Sequence, residues 1–210
     1  MSAGRRASGL RIAAAGVCVA VAAWLLQQYW QRPAEAFDPS TEDLCIVMPA
    51  RVAPARAWDP SSGVDRLAAR PIPPDARCPV CGMYPARHPK WAAQLIFDDG
   101  AVHFFDSPVD LFIFLADPGQ FDPARADSAA AAIHVSDFSG AGWLEARHAH
   151  YVKGSSARGP MRGADLPAFG DPDAARAFAA QHGGEVIGFG AIDAGTIAAL
   201  RDANHAGHDR

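Results

Sequence analysis

The amino-acid sequence predicts an α+β protein with two similar ββαβ lobes, which follow an N-terminal transmembrane or signal helix. Three observations indicate this fold class. An uncharged apolar run follows several arginines near the start of the chain. Two strand-like segments joined by a turn then precede a helix with proline at its first position. The same order of elements recurs in the second half, and we therefore infer an internal duplication.

Residues 1–36 are the predicted targeting segment. Arg5, Arg6 and Arg11 precede the apolar residues 12–26. At about 1.5 Å per residue this run would form a helix of about 22 Å, which is short for a hydrocarbon core of about 30 Å. It fits either a cleaved signal peptide or an N-terminal membrane anchor. Both alternatives place the rest of the chain in an oxidising compartment outside the cytoplasm.

The composition excludes several classes of function. The net charge of −4 and the absence of a basic face argue against nucleic-acid binding. Four cysteines are too few for a disulfide scaffold. The sequence also has no Walker-type phosphate loop, no dinucleotide fingerprint and no nucleophile elbow. We therefore expect a binding protein and not an enzyme.

Residues 37–77 are rich in Pro, Ala and Asp and are interpreted as a linker that becomes ordered near the domain. Residues 78–138 are the first predicted ββαβ lobe. Ser107 is expected to cap its helix, with Pro108 at the first helical position. The elements of this lobe are a strand at 91–97, a hairpin turn at 98–100, a strand at 101–105, a helix at 108–115 and a strand at 133–135.

Residues 139–192 are the second predicted ββαβ lobe, and residues 193–210 form a C-terminal helix and a polar tail. The start of the second helix, Phe169-Gly170-Asp171-Pro172, repeats the pattern of Phe105-Asp106-Ser107-Pro108. The expected elements are strands at 149–152 and 166–169, a helix at 174–181 and a strand at 185–189. A cleft between two such lobes is a common place for a ligand.

The strongest chemical signal is the segment CPVCGM, residues 78–83. The Cys78/Cys81 spacing is typical of a zinc knuckle, but no second cysteine pair follows. It also occurs in thiol–disulfide oxidoreductases, which need a strand before the motif and a helix after it. A soft-metal site is the interpretation that we favour, because Met83 adds a thioether and such ligands select Cu(I). A simple disulfide with Met83 in the core remains a fourth alternative.

Two further residues are candidate ligands. Met161 lies in Gly159-Pro160-Met161-Arg162-Gly163, and a methionine between small loop residues is not easily explained as core. His88 is the histidine nearest in sequence to the CPVCGM segment. The predicted ligand set is therefore Cys81, Met83, Met161, His88 and Cys78.

Several separated motifs resemble the nitrous-oxide reductase accessory protein family NosL over roughly residues 72–190. They are CPVCGM (78–83), HPKWAAQLIFDDG (88–100), FFDSPVDLFIFL (104–115), VSDF (135–138), AHYVKGS (149–155) and GPMRGADLPAF (159–169). The resemblance implies a fold of two similar ββαβ lobes. It also implies that Cys81, Met83 and Met161 hold one Cu(I), while the choice of His88 and the role of Cys78 stay open.

The resemblance further implies a periplasmic, membrane-attached copper chaperone. Such a protein would supply Cu(I) for the maturation of nitrous-oxide reductase and would work with a membrane ABC-type assembly complex. The alternatives are a thiol–disulfide oxidoreductase and a structural zinc module, both of which would use Cys78 and Cys81.

Overall fold

The computed structural model describes residues 53–140 and 142–208, together with the helical positions Trp24 and Gln27. The rest of the predicted targeting segment, including Cys18, lies outside the described residues, as does Cys45. Among the described residues, no helix combines the length and apolarity required to cross a membrane.

The first sheet contains four antiparallel strands in the order β2-β1-β3-β4. Its strands are β1 (Ala93–Phe97), β2 (Val102–Phe105), β3 (Ala130–Ser136) and β4 (Trp143–Glu145). The predicted hairpin is confirmed, because Gly100 adopts a φ of +82° in the β1–β2 turn. Strand β4 was not predicted from the sequence.

Helix α1 (Pro108–Ala116) follows β2 directly. The Ser107 side chain accepts a hydrogen bond from the Asp110 backbone N–H, and Pro108 occupies the first turn, which confirms the predicted start. Asp117 ends α1 and caps the short helix α2 (Pro118–Phe121) through the Gln120 N–H. The cap at Ser107 fixes the first turn of α1, which contains Asp110 of the candidate site described below.

The second sheet contains three antiparallel strands in the order β6-β5-β7. Its elements are β5 (His150–Lys153), β6 (Ala168–Phe169), helix α3 (Pro172–His182) and β7 (Glu185–Gly188), and helix α4 (Ala194–His208) follows. Asp171 caps α3 by accepting a hydrogen bond from the Asp173 N–H, as its sequence pattern predicts. Single turns of 3-10 helix lie at Pro60–Ser62, Pro85–Arg87, Pro123–Arg125, Ala146–His148 and Phe189–Ala191.

The two sheets repeat one topology. In each sheet the first strand in the chain is central, and its neighbours are the second strand and the strand that follows the helix. The described residues from 53 onward nevertheless belong to one compact unit. The predicted α+β class is therefore confirmed, and all strand pairs of both sheets are antiparallel.

Both faces of the first sheet are covered. Leu95 and Phe105 lie on the face that packs against α1 and α4, whereas Ile96 and Phe104 belong to a second cluster that includes Leu67. Strand β1 is consequently buried along its whole length, which explains its nearly continuous apolar sequence.

The segment that we interpreted as a linker becoming ordered near the domain packs against the sheet in this second cluster. Within residues 53–77, the backbone of Arg56 exchanges hydrogen bonds with that of Val102 on the edge of the first sheet. Leu67 and Ile72 pack on the buried face, and Ala76 is 2% exposed. This segment leads directly into Cys78 and thereby anchors the start of the CPVCGM segment.

Candidate metal site

The CPVCGM segment folds into a tight turn that points two thiols toward the first sheet. The Cys78 N–H donates to the Met83 carbonyl at 2.9 Å, and the Gly82 N–H donates to the Cys78 carbonyl at 2.9 Å. Gly82 has a φ of +77°, a conformation that strains residues with a Cβ. Cys78 is fully buried and Cys81 is partly buried, and both are free thiols.

Two buried carboxylates meet these thiols. The Cys78 Sγ donates to Asp110 Oδ2 at 3.2 Å, and the Cys81 Sγ donates to Asp106 Oδ1 at 3.0 Å. Asp106 directly follows β2 and Asp110 lies in the first turn of α1. The ligand atoms of all four residues lie within 4.8 Å of one another, which is close enough for one ion to reach them.

The two carboxylates of this cluster have no ion-pair partner in the described part of the chain. None of the ion pairs found there involves Asp106 or Asp110. Burial, followed by the neighbouring Asp106 charge, raises the pKa of Asp110 to about 6. In the described part of the chain, Asp106 Oδ2 is buried without a hydrogen-bond partner. A buried, unsatisfied carboxylate oxygen beside two thiols fits a bound metal ion.

The two thiols are held in their protonated form. Burial raises the pKa of the Cys78 thiol. The pKa of the Cys81 thiol is raised first by its hydrogen bond with Cys78 and then by burial. Reactive cysteines require the opposite shift, because the thiolate is the nucleophile. In the absence of metal, the surroundings therefore disfavour thiol–disulfide chemistry.

A cavity of about 430 Å³ opens beside the thiols. Residues from distant parts of the chain line it: Cys81, Ser107 and Asp110 come from the part that forms the first sheet and α1, Met161 lies between β5 and β6, and Arg201 lies in α4. Met161 is 56% exposed. Its loop is closed by the pairing of Arg158 with Ala164 and by the Gly159–Gly163 hydrogen bond. The thioether is thus presented at the wall of the cavity that Cys81 also lines.

Asp165 attaches the Met161 loop to the start of α1. Its Oδ1 accepts hydrogen bonds from the N–H of Leu166 at 2.8 Å and from that of Val109 at 3.3 Å. Gly159 packs so closely here that a Cβ would lie 2.1 Å from Asp165 Oδ2. Burial raises the pKa of Asp165 to about 7. This contact links the loop that carries Met161 to the helix that carries Asp110.

The five predicted ligands do not all lie together. Cys78 and Cys81 belong to one cluster, and Met161 lines the cavity that Cys81 also lines. Met83 contributes its carbonyl to the turn, and its side chain is partly buried. His88 follows the Pro85–Arg87 turn, where its N–H donates to the Pro85 carbonyl, and it is not part of the four-residue thiol–carboxylate cluster.

Sequence reasoning missed the carboxylates. Asp106 and Asp110 are four residues apart across a capped helix start, with Asp106 directly after a buried strand. That position was the available signal, because a strand end and the first turn of the next helix lie close together. Their contact with the thiols 25 and 32 residues away is tertiary, and periodicity does not reveal it.

Fold and site together define an α+β protein in which two thiols and two carboxylates form one cluster, and Cys81 and Asp110 of that cluster line an open cavity. The family model NosL matches residues 69–197. That match covers more than half of the chain, and the chain therefore belongs to the NosL family.

Two relatives agree with this assignment. The copper-binding lipoprotein NosL of Stutzerimonas stutzeri is 29% identical over 141 residues, an alignment that covers 63% of this chain and 70% of that protein. The crystal structure of the copper chaperone NosL from Shewanella denitrificans is similar with a TM-score of 0.52 and 28% identity. That similarity covers 61% of this chain and 98% of the crystallised one.

Proposed function

We propose that this chain is a Cu(I) metallochaperone that supplies copper for the maturation of nitrous-oxide reductase. The observation that carries the proposal is that the free thiol of Cys81 and the exposed thioether of Met161 line one open cavity, while the second free thiol, Cys78, lies beside Cys81 in the same cluster. Family membership supports it, since the two similar proteins are named as a copper-binding lipoprotein and a copper chaperone.

The chemistry of the proposed ligands supports copper in the monovalent state, Cu(I). Thiolate and thioether are soft donors, and they favour monovalent copper over harder ions. Cys78, Cys81 and Met161 are the proposed principal ligands. Met83 and His88 remain proposed ligands from the sequence, and either would have to approach the cavity by a change of side-chain conformation.

Asp106 and Asp110 are proposed to accept the thiol protons. Each thiol donates its hydrogen bond to one of these carboxylates. When a Cu–S bond forms, the S–H bond breaks and its proton passes to the carboxylate that already accepts it. Proton release on binding is general for thiolate metal sites. The carboxylates would therefore exchange a proton for the metal ion as cargo enters and leaves.

The proposal that the metal can be released is supported by the exposure of one proposed ligand, Met161, at the cavity wall. Cys78 is fully buried, whereas Met161 is 56% exposed at the cavity wall. A ligand of the receiving protein can therefore replace the thioether first, while the buried thiol still holds the ion. Stepwise ligand exchange of this kind transfers copper without setting it free.

The presence of two carboxylates beside the thiols is the one observation that favours the zinc alternative. A set of two cysteines and two aspartates can supply the four ligands of a tetrahedral zinc site, and the cluster has this composition. The competing metal must therefore be included in any binding test. The oxidoreductase alternative is disfavoured by the raised pKa values of both thiols.

We further propose export to the periplasmic side of the cytoplasmic membrane, with residues 1–36 as signal or anchor. The basic, apolar start of the sequence and the lipoprotein name of the S. stutzeri relative support this location. The proposed partners are nitrous-oxide reductase and its membrane ABC-type assembly complex. The matching strand order of the two sheets supports our proposal that two similar ββαβ lobes arose by duplication.

Competition against a Cu(I) chelator tests the function. The reduced full chain is expected to bind one Cu(I), with at least about tenfold weaker affinity in Cys81→Ser and in Met161→Leu, since about 1.4 kcal/mol corresponds to a factor of ten. His148→Ala is a suitable control, because its side chain is 88% exposed and pairs only with Glu145. Zinc titrated in parallel should bind more weakly.

Unchanged copper affinity in both Cys81→Ser and Cys78→Ser would refute the proposed site. Tighter binding of zinc than of Cu(I), with unfolding on chelation, would favour the structural zinc module instead.

A further inference from the structure

Five exposed arginines lie either at the wall of the thiol cavity or on the two loops that carry Cys81 and Met161. We call this set the arginine collar: Arg77, Arg87, Arg158, Arg162 and Arg201. Among the described residues, none of the five forms an ion pair with a carboxylate. The arginines and lysine that do form such pairs are Arg56, Arg125, Arg147, Lys153 and Arg176.

Each side of the cavity contributes to the collar. Arg77 Nη1 donates to the carbonyl of Gly82 at 3.0 Å, one residue after Cys81. Arg158 and Arg162 flank Met161 in its loop, and Arg201 lines the cavity itself. Positive charge therefore lies next to both of the sulfur-bearing loops.

Two cations beside the thiol turn share one aromatic ring. The Cζ atoms of Arg77 and Arg87 lie 3.8 Å and 4.6 Å from the centroid of the Tyr84 ring. The ring attracts each guanidinium and so holds both at the thiol turn. Neither forms an ion pair among the described residues, so both are available to an incoming anion.

Acidic residues are absent from the two segments that carry four of the five collar arginines. Residues 76–97 and 146–164 contain no Asp or Glu, although the whole chain carries a net charge of −4. The exposed Asp75 before the first segment pairs with Arg56, and Asp202 follows the fifth arginine, Arg201. The two sulfur-bearing loops are therefore locally cationic on a protein that is acidic overall.

We propose that the arginine collar docks a carboxylate-rich surface of the protein that exchanges copper with this site. The inference rests on the proposed function. A receiving protein must bring its ligands to Cys81 and Met161, and its surface then meets the collar. Guanidinium groups bind carboxylates with paired hydrogen bonds. An anionic membrane is the less fitting partner, because it would cover the cavity through which copper has to pass.

Charge reversal tests this surface. We expect the full chain carrying Cu(I) to associate with apo nitrous-oxide reductase, or with the purified ABC-type complex, about tenfold more slowly in Arg87→Glu and in Arg162→Glu at low salt. The difference should shrink at high ionic strength, where charges are screened. Arg176→Glu is the matched control, because it changes the net charge equally but lies on α3 in an ion pair with Asp173.

Two further measurements separate the possible outcomes. Cu(I) affinity in the chelator competition should be unchanged in all three variants, because loss of copper binding itself would indicate failure of the proposed function. Binding to phosphatidylglycerol vesicles should not differ between Arg87→Glu, Arg162→Glu and Arg176→Glu.

Three results would overturn the docking proposal. The first is that neither acceptor binds the wild-type chain. The second is that both collar variants associate at the rate of Arg176→Glu. The third is that they lose affinity for the vesicles alone, which would assign the collar to a lipid surface.

Discussion

At the residue scale, the site pairs each sulfur donor with an acid that already contacts it. Cys78 donates to Asp110 and Cys81 donates to Asp106, so the thiols stay oriented and protonated in the absence of metal. A buried hydrogen-bonded network of this kind specifies one geometry only when all its members are satisfied. The unpartnered Asp106 Oδ2 is the oxygen that a bound ion would satisfy.

Asp165 is predicted to make the metal-free protein less stable as the pH rises. Its pKa of about 7 in the folded state exceeds the ordinary value of about 3.9. The contribution of this group to stability is thus complete below about pH 4 and is lost between about pH 4 and pH 7. The loss can reach about 1.4 kcal/mol for each unit by which the pKa is raised.

Urea unfolding of wild type and Asp165→Asn at several pH values measures this effect. The asparagine keeps an oxygen for the Leu166 and Val109 N–H groups but does not titrate. The stability difference between the two proteins should therefore change across the window from pH 4 to pH 7. Parallel curves would show that burial of Asp165 imposes no such penalty.

At the element scale, the Met161 loop depends on a glycine. A Cβ on Gly159 would meet Asp165 Oδ2 at 2.1 Å and the Asp165 Cβ at 2.8 Å. We predict that Gly159→Ala lowers the free energy of unfolding by about 1–3 kcal/mol, the usual cost of overpacking. It should also weaken Cu(I) binding, because the loop would move away from α1.

Gly190→Ala provides the control for this substitution. A Cβ at Gly190 meets nothing within 4 Å, and its unfolding free energy and copper affinity should stay near the wild-type values. Equal behaviour of the two alanine variants in urea titration would contradict the proposed role of Gly159.

Gln94 joins strand β1 to the segment before the CPVCGM turn. Its Oε1 accepts from the Arg70 N–H at 3.0 Å, and its Nε2 donates to the Arg70 carbonyl at 3.2 Å. The side chain is fully buried. We predict that Gln94→Ala costs about 1–3 kcal/mol of stability in urea unfolding, because it leaves two backbone groups unpaired. The exposed Gln181→Ala should cost almost nothing, and a neutral Gln94→Ala would contradict this account.

Local sequence signals predicted much of the fold. The helix starts at Ser107-Pro108 and Asp171-Pro172 were predictable, because capping depends on neighbouring residues alone. The β1–β2 hairpin was predictable for the same reason. Strand β4 (Trp143–Glu145) was missed because three residues carry no periodicity. Gln94 is the one polar residue of β1, and no local signal reveals its partner, Arg70, which is 24 residues away.

The site was predictable only in part. Cys78 and Cys81 are marked by their spacing, and Met161 by its glycine-rich surroundings. Asp106 and Asp110 are marked only by their position at a strand end and a helix start. Their contact with the thiols, like the contact of Asp165 with α1, is tertiary and has no local signal. The sequence also does not reveal that Met83 uses its carbonyl to close the turn.

At the scale of the whole molecule, both halves of the chain are needed to build the cavity. Cys81 and Asp110 precede the second sheet in sequence, while Met161 lies between β5 and β6 of that sheet. Copper should therefore stabilise the fold as a unit. At a free Cu(I) concentration 100 times the Kd, we predict about 2.7 kcal/mol of additional stability.

Thermal unfolding of the reduced protein with buffered Cu(I) measures this stabilisation. The Tm should rise with Cu(I) in wild type and in His148→Ala, and the rise should be much smaller in Cys81→Ser. An equal rise of Tm in Cys81→Ser would mean that copper binds elsewhere.

Copper coordination by sulfur atoms from both the thiol turn and the Met161 loop can be observed by X-ray absorption spectroscopy of the Cu(I)-loaded chain. We expect sulfur scatterers at about 2.3 Å, a typical metal–thiolate distance, with fewer of them in Met161→Leu and in Cys81→Ser. A shell of nitrogen and oxygen alone, or a spectrum that neither substitution changes, would rule out this coordination.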